Sequence, residues 1–174
     1  MRDVRAGATI WLTGLPSSGK TTLAYALEKK FIEDGQRVEV LDGDVIRQSL
    51  TADLGLSAED RRTNVTRIGF VAELLSRNGV VVLCPVIAPY RDARDAVRER
   101  HDGRFIEVHI ATPVELCAER DVKGLYALQR DGKLTGLTGV DDPYEAPNNP
   151  EITLDTSGMT LDESVEVLWQ ALHP

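Results

Sequence analysis

The chain has 174 residues, a formal net charge of −8 and a hydrophobic content of 42%. This length fits one domain with a core of ordinary size, and the composition is that of a globular protein. The acidic balance argues against nucleic acid as a main partner, and we expect neither a membrane span nor a signal peptide. Cys84 and Cys117 lie in apolar surroundings, so we expect buried free thiols and a reducing, cytoplasmic location.

A glycine-rich loop follows the first predicted strand. Residues 9–13 form an apolar run typical of a buried strand, and residues 20–34 carry apolar side chains at helical spacing up to Gly35. Between them, residues 14–22 read GLPSSGKTT and match the pattern G-x-x-x-x-G-K-[ST]. Such a loop turns backbone N–H groups inward around a polyphosphate, and the following helix points its positive end at the same charges.

This loop predicts a nucleotide-binding site. Lys20 adds a full charge near the β and γ phosphates, and the Thr21 hydroxyl can ligate Mg²⁺. The alternative is a glycine-rich turn that binds nothing, but the strand, the helix and the Lys-Thr pair are all present. The expected nucleotide-binding residues of the loop are Gly14, Ser17, Ser18, Gly19, Lys20, Thr21 and Thr22.

Two carboxylates follow the second predicted strand. Residues 38–41 form this strand and lead into Asp42-Gly43-Asp44. The carboxyl ends of parallel strands are where open α/β sheets bind ligands, so we expect both aspartates beside a phosphoryl acceptor. Asp44 precedes a short helical stretch at 45–50 and has the alternative role of an N-cap, whereas Asp42 has no such structural explanation.

An arginine-rich region forms the middle of the chain. A capping pattern at Ser57 predicts the start of a helix that ends at Gly79. Arg61 and Asn64 fall on one face of this helix and can act together. Residues 45–100 contain no lysine but carry a net positive charge in an acidic chain. This indicates capture of a small anion, and a solvated helix face is the alternative.

The remaining elements complete an alternating pattern of strands and helices. A continuous apolar run at 80–84 is typical of a central parallel strand. Thr112, Pro113 and Glu115 form a strong helix start, and Thr160 caps a final helix. The other predicted elements are a helix at 92–101 and strands at 105–110 and 152–155.

Residues 121–150 lack regular apolar spacing and contain recurring glycine, lysine and proline. A long irregular segment inside a compact domain is usually a functional lid or is disordered. We expect a lid that closes over the phosphate site.

These features favour a small-molecule kinase over other proteins with the same loop. The third strand ends in Cys84 instead of an aspartate, and no Asn-Lys-x-Asp motif for reading guanine is present, which argues against a switch GTPase. An acidic pair beside the acceptor, arginines on an anion and a water-excluding lid fit phosphoryl transfer to a hydroxyl.

Six motifs, in order over nearly the whole chain, resemble the adenylyl-sulfate kinase family. The motifs are GLPSSGKTT (14–22), LDGDVIR (41–47), EDRRTNVTRIG (59–69), IAPYR (87–91), RDVKGLY (120–126) and TGVDDPYEAPNNPEI (138–152). The LDGD, KGLY and DDPYE blocks are specific to that family, whereas the glycine-rich loop alone is not. The resemblance implies one domain over residues 1–174 with a P-loop α/β fold in three layers. That fold has a five-stranded parallel sheet, helices on both faces and a lid at about 121–150.

The resemblance also implies a reaction. Enzymes of this family use ATP and Mg²⁺ to phosphorylate the 3′-hydroxyl of adenosine 5′-phosphosulfate (APS), giving 3′-phosphoadenosine 5′-phosphosulfate and ADP. It implies catalytic roles for Lys20, Asp42 and Asp44: either aspartate accepts the hydroxyl proton, and the other helps to place metal or ribose. Thr21 and Asp42 are the implied metal ligands, and Arg120 is expected near the ATP base.

A larger set of residues is implied to bind APS. These residues are Asp42, Asp44, Arg47, Arg61, Asn64, Arg91, Phe105, Lys123, Gly124 and Leu125. Phe105 is either a stacking partner for the adenine or a core residue of its strand. The family also implies a homodimer and an association with ATP sulfurylase.

Three positions depart from the family pattern. Ala88 stands where the family usually has serine, so a phosphoserine cannot form there and direct in-line transfer is implied. Leu56 and Leu137 stand where the family often has aromatic residues. These two changes leave open a related kinase for another anionic alcohol, and Ala88 leaves open a non-catalytic nucleotide-binding module.

Overall fold

Five strands form one parallel sheet within residues 4–173, the part of the chain that this computed structural model describes. They are β1 (Ala8–Gly14), β2 (Val38–Val40), β3 (Val81–Pro85), β4 (Phe105–Ile110) and β5 (Ile152–Leu154). Their order across the sheet is β2-β3-β1-β4-β5, and every neighbouring pair is parallel. The expected five-stranded parallel sheet is therefore confirmed, with the strand before the glycine-rich loop at its centre.

Seven α-helices connect and cover the strands in the described part of the chain, after a short 3-10 turn at Val4–Ala6. They are α1 (Lys20–Glu33), α2 (Gly43–Ile46), α3 (Ala58–Ser76), α4 (Arg91–Arg100), α5 (Val114–Arg120), α6 (Leu125–Arg130) and α7 (Leu161–Leu172).

The helices lie on both faces of the sheet because the central strands are apolar on both sides. Along β1, Ile10 and Leu12 pack with α1 and α7 in one buried cluster. Trp11, which points the other way, packs with α3 and α4 in a second cluster. Strands buried on both faces read as continuous apolar runs, as β1 and β3 do. The expected three-layer α/β fold is confirmed.

The predicted strands agree with the observed ones to within one residue at each end. One predicted helix start is wrong in detail. Thr112 does not cap α5, because its hydroxyl contacts the Thr156 hydroxyl at 2.7 Å and the Ser18 carbonyl at 3.2 Å. Pro113 takes the N-cap position without a side-chain hydrogen bond. At α7, in contrast, Thr160 and Glu163 form the reciprocal capping box that their spacing indicates.

The segment 121–150 is more ordered than its irregular sequence indicates. It contains α6, whose first amides at Tyr126 and Ala127 donate to the Asp121 carboxylate. Tyr126 and Leu137 are buried with Cys117 in a third, smaller apolar cluster. The sequence carries no sign of this six-residue helix, because it is stabilised by the Asp121 carboxylate and by local burial instead of a long apolar stripe.

Both cysteines are buried free thiols, as predicted. Within residues 4–173, no helix combines the length and the apolar character that crossing a lipid bilayer requires.

Candidate active site

A cleft of about 590 Å³ lies at the carboxyl edge of the sheet. The glycine-rich loop follows β1 there, Asp42 follows β2, and residues 85–89 end and follow β3. The sheet therefore brings together three segments that are far apart in sequence, at the edge where open α/β sheets bind ligands. The loop residues that line the cleft are Ser17, Ser18, Gly19, Lys20, Thr21 and Thr22.

The glycine-rich loop has the geometry of a phosphate cradle. Gly19 is the N-cap of α1 with φ of 101°, a left-handed conformation that favours glycine. The positive end of this 14-residue helix consequently faces the cleft. Gly14 does not line the cleft. A Cβ there would lie 2.6 Å from the Ile110 carbonyl oxygen, so its role is close packing of β1 against β4.

Lys20 is buried beneath this loop. Its Nζ donates to the Leu15 carbonyl at 2.6 Å and to the Ser18 hydroxyl at 3.2 Å. Burial lowers the Lys20 pKa to about 7. A polyphosphate bound in the loop would favour the charged form of this amine, because its negative charges would lie close to the Lys20 Nζ.

One end of the cleft is formed by residues from the second half of the chain. Arg120 lies beside the loop, where its Nη1 donates to the Thr156 hydroxyl at 3.0 Å and to the Ser18 carbonyl at 3.4 Å. The other residues of this end were not predicted from the sequence. They are Thr156, Met159, Leu161 and Ser164. Thr156 could have been found by position, because it follows the carboxyl end of β5.

The opposite end carries the two aspartates, and their local roles differ from those expected. Asp42, not Asp44, is the N-cap of α2, and its Oδ1 accepts from the Asp44 amide at 2.8 Å. The N-cap explanation was therefore assigned to the wrong aspartate. Asp42 is buried, whereas the side chain of Asp44 is 62% exposed and forms an ion pair with Lys123.

Arg47, Arg61 and Asn64 also line this end. Arg47 Nη1 donates to the Gly55 carbonyl at 3.2 Å, which holds the side chain along the cleft wall. Arg61 connects α3 to the expected lid, because it donates to the Gly136 carbonyl at 2.7 Å and pairs with Asp142 at 3.1 Å.

Asn64 presents an unused acceptor at the same end. Its Oδ1 is buried without a hydrogen-bond partner among the described residues. A buried unpaired acceptor is costly, so this atom is suited to accept a hydrogen bond from a ligand.

Residues of the 121–150 segment form the outer wall. Val122, Lys123 and Leu125 line the cleft, as expected for the last two. Gly124 lies between Lys123 and Leu125 in sequence but does not line the cleft. It is the N-cap of α6, with φ of 68°.

Like Gly124, two further expected substrate-binding residues do not line the cleft. Phe105 begins β4 at the opposite edge of the sheet and is 4% exposed, with its ring centroid 5.7 Å from that of Trp11. This position agrees with the core alternative for Phe105, which does not line the cleft. Arg91 does not line the cleft, because its Nη2 donates to the Ala146 carbonyl at 2.9 Å.

The three residues that depart from the family pattern lie in different surroundings. Ala88 is 4% exposed on the cleft wall and has φ of 44°. Leu56 is 59% exposed at the cleft, where it offers an apolar surface. Leu137 is buried in the third apolar cluster and does not line the cleft, so its substitution changes local packing.

The residues present fit a magnesium ion held partly by substrate. Among residues 4–173, no group of three His, Cys, Asp or Glu side chains is arranged to hold a metal. Thr21 and Asp42 both line the cleft and offer oxygen ligands. Mg²⁺ is commonly bound by one or two such ligands together with phosphate oxygens and water.

Comparison with known proteins identifies the family. The chain matches the adenylylsulphate kinase family over residues 6–155. The adenylyl-sulfate kinase of Rippkaea orientalis is 57% identical over 167 residues, which cover 96% of this chain and 92% of that protein. The adenylyl-sulfate kinase of Halothermothrix orenii is 50% identical over 167 residues, covering 96% and 90%.

Solved structures agree with this result. The APS kinase of Mycobacterium tuberculosis, in complex with AMPPNP and APS, has a TM-score of 0.92 at 41% identity, covering 97% of this chain and 99% of that one. A gluconokinase from Sinorhizobium meliloti, at 20% identity, covers 97% of this chain and 93% of that one, and its TM-score of 0.62 shows a shared fold alone. With a family match over most of its length and relatives that are 50% and 57% identical, the chain belongs to the adenylylsulphate kinase family.

Proposed function

We propose that this protein transfers the γ-phosphoryl group of ATP to the 3′-hydroxyl of APS, giving 3′-phosphoadenosine 5′-phosphosulfate and ADP. One observation carries the proposal: a single cleft holds a phosphate-binding loop, with Arg120 at one end and two aspartates together with Arg47 and Arg61 at the other. ATP occupies the loop and the Arg120 end, and APS occupies the end formed by Asp44, Arg47 and Arg61. The family and the relative complexed with AMPPNP and APS support the same assignment.

The residues of the cleft divide the chemistry between them. Loop amides, the positive end of α1 and Lys20 neutralise the charge that develops on the transferred group and on the β-phosphate. Asp44 accepts the proton of the attacking 3′-hydroxyl, because its side chain is 62% exposed at the cleft, whereas Asp42 is buried and its Oδ1 accepts from the Asp44 amide. Thr21 and Asp42 would hold Mg²⁺, which supplies additional neutralisation of phosphate charge when bound.

Transfer in this protein is direct. Ala88 carries no hydroxyl, so the cleft wall at this position offers no nucleophile for a phosphorylated intermediate. Segment 121–150 excludes water from the cleft, which directs the phosphoryl group to the acceptor hydroxyl and away from hydrolysis.

The test is a coupled assay of ADP formation with ATP, Mg²⁺ and APS, with the nucleotide product identified by chromatography. We expect one ADP and one 3′-phosphorylated product per APS consumed, and little ADP when APS is omitted. ADP formation that is independent of APS would contradict the proposal.

A second candidate is a related kinase for another anionic alcohol, which the exposed Leu56 at the acceptor end favours. An aliphatic side chain offers an apolar surface without the ring stacking that favours a purine. Comparing kcat/KM for APS with that for other nucleotides and phosphorylated sugars separates the two candidates.

We also propose that the protein works as a single-domain homodimer in the cytoplasm and associates with ATP sulfurylase, the enzyme class that makes APS. Family membership and the buried free thiols support these assignments. Sedimentation of the purified protein, alone and with a sulfurylase, tests the dimer and the association.

A further inference from the structure

We propose that Arg94, on α4, is a positioning residue that fixes the acceptor end of the cleft to the end of the 121–150 segment. The inference rests on the proposed function, because the effect is read through the kinetics of the acceptor. Arg94 is outside the cleft and 1% exposed, so it contacts no substrate itself.

The Arg94 guanidinium joins three parts of the chain. Its Nε donates to Glu107 Oε1 at 2.8 Å, on β4. Its Nη1 donates to the Ala88 carbonyl at 2.6 Å, and its Nη2 donates to the Glu145 carbonyl at 2.6 Å. The carboxylate supplies the buried counter-charge, whereas the two carbonyls belong to the segments that Arg94 connects.

The first of these segments is part of the cleft wall. Ala88 has φ of 44°, a left-handed conformation that is unfavourable for a residue with a Cβ. Backbone strain of this kind persists only where surrounding contacts impose it. Arg94 supplies one such contact, because it binds the carbonyl of the strained residue itself.

The second segment, which contains Glu145, makes several further contacts with the first. The Glu145 amide donates to the Pro89 carbonyl at 2.8 Å, and Glu145 Oε2 accepts from the Arg91 amide at 2.8 Å. The Tyr144 hydroxyl lies 3.0 Å from the Thr13 hydroxyl, on β1. Arg94 also lies near this second segment, because its guanidinium carbon is 5.9 Å from the centre of the Tyr144 ring.

The cleft wall in turn supports the helix that carries the proposed base. A Cβ built on Gly43 would lie 3.4 Å from Val86 Cγ1, so α2 packs directly on the residues before Ala88. A shift of this wall therefore moves Asp44 relative to the acceptor. The Arg120 end of the cleft shares none of these contacts, so ATP binding is expected to change little.

Only arginine satisfies all three partners. Its planar fork donates in several fixed directions at once, whereas a lysine ammonium at this place can neutralise Glu107 without reaching both carbonyls. The substitution Arg94→Lys therefore separates the positioning role from the charge balance of the core.

Arg98 provides a matched control. It lies one turn further along α4 and donates to Glu107 Oε2 at 3.1 Å, but its other partner is Glu151 and it does not line the cleft. Arg98→Lys perturbs the same buried carboxylate without touching Ala88 or Glu145.

The experiment compares wild type, Arg94→Lys and Arg98→Lys by steady-state kinetics, ATP binding and amide hydrogen exchange. We expect Arg94→Lys to lower kcat/KM for APS about tenfold or more relative to Arg98→Lys, with ATP affinity within about twofold of wild type. Exchange should rise together at the amides of residues 86–88, 90 and 144–146 in Arg94→Lys and stay unchanged in Arg98→Lys.

The double variant Arg94→Gln/Glu107→Gln removes both charges and replaces Arg94→Lys in the comparison if Arg94→Lys does not fold. It should show the same kinetic and exchange pattern. Equal kinetics for Arg94→Lys and Arg98→Lys, or an equal loss of ATP affinity and acceptor turnover, would overturn the inference. A wild-type protein inactive on APS would instead contradict the proposed function, and the exchange measurement would still test the link between the two segments.

Discussion

At the scale of single residues, the buried Lys20 joins structure most directly to chemistry. Its ammonium is held inside the glycine-rich loop by the Leu15 carbonyl and the Ser18 hydroxyl. Burial lowers its pKa to about 7, so much of the amine is neutral at pH 8 when no phosphate is present. A bound polyphosphate favours the charged form, and binding must then take up a proton.

We predict that ATP binding at pH 8 is accompanied by proton uptake, and that affinity falls as the pH rises above 7. Calorimetry in two buffers of different ionisation enthalpy measures the uptake. Lys20→Met should abolish the difference between buffers and lower turnover by about a hundredfold or more, because transition-state charge loses its nearest cation. Equal binding heats for wild type in both buffers would contradict the predicted uptake.

We predict that Asp44→Asn lowers turnover by about a hundredfold or more while ATP affinity stays nearly constant, as expected for loss of a general base. Asp42→Asn keeps a capping side chain at α2 and is the matched comparison. Rapid-quench measurement of product formation checks both variants. If Asp44→Asn keeps normal turnover and Asp42→Asn does not, Asp42 is the base.

Residue roles were only partly predictable from the sequence. The place of Lys20 in the cleft was predictable because a short motif fixes its backbone and its environment together. The N-cap role was assigned to Asp44 instead of Asp42, because α2 begins two residues earlier than its apolar pattern indicates. Arg91 belongs to a family motif and Phe105 begins a predicted strand, but which way a side chain points depends on tertiary partners such as Ala146 and Trp11.

At the scale of elements, helices α3 and α4 pack closely against each other at Gly69. A Cβ at this position would lie 2.5 Å from Val97 Cγ2, closer than real side chains approach. Gly69 therefore sets the distance between two helices, and α4 is also the helix that carries Arg94.

We predict that Gly69→Ala lowers the free energy of unfolding by about 1 kcal/mol. Alanine gains about 1 kcal/mol of helix propensity over glycine, but the steric clash costs about 1–3 kcal/mol. In a Val97→Ala background the clash is relieved, so the same substitution should become neutral or stabilising. Urea unfolding of the four proteins in this cycle measures the coupling, and an identical loss in both backgrounds would contradict it.

Elements were predictable where burial dictates a pattern in the sequence. β1 and β3 lie between two helical layers, so their apolar runs identify them unambiguously. α6 has only six residues and depends on a cap from Asp121 and on burial of Tyr126. Neither contact leaves a periodic signal, which is why the segment reads as irregular.

At the scale of the whole molecule, the cleft is assembled from segments spread between Pro16 and Ser164. A ligand that fills it binds the folded chain and not the unfolded one. Ligand binding is therefore linked to global stability.

We predict that AMPPNP at about one hundred times its dissociation constant raises the melting temperature by about 5–10 °C. Adding APS should raise it further, because the two nucleotides occupy different ends of one cleft. Differential scanning calorimetry checks both steps. No further rise with APS, at a concentration that supports turnover, would contradict two-ended occupancy.

The order of the strands separates the two binding tasks along the chain. β2 and β3 lie on one side of the central strand, and the cleft residues that follow them, with those on α2 and α3, fall between Asp42 and Pro89. The residues beside Arg120 come from the chain beyond β4. Apart from Lys123 and Leu125 of the outer wall, the acceptor end thus lies within one uninterrupted stretch of gene, so exchange of that stretch between relatives would alter most of the acceptor end and leave the residues beside Arg120 in place.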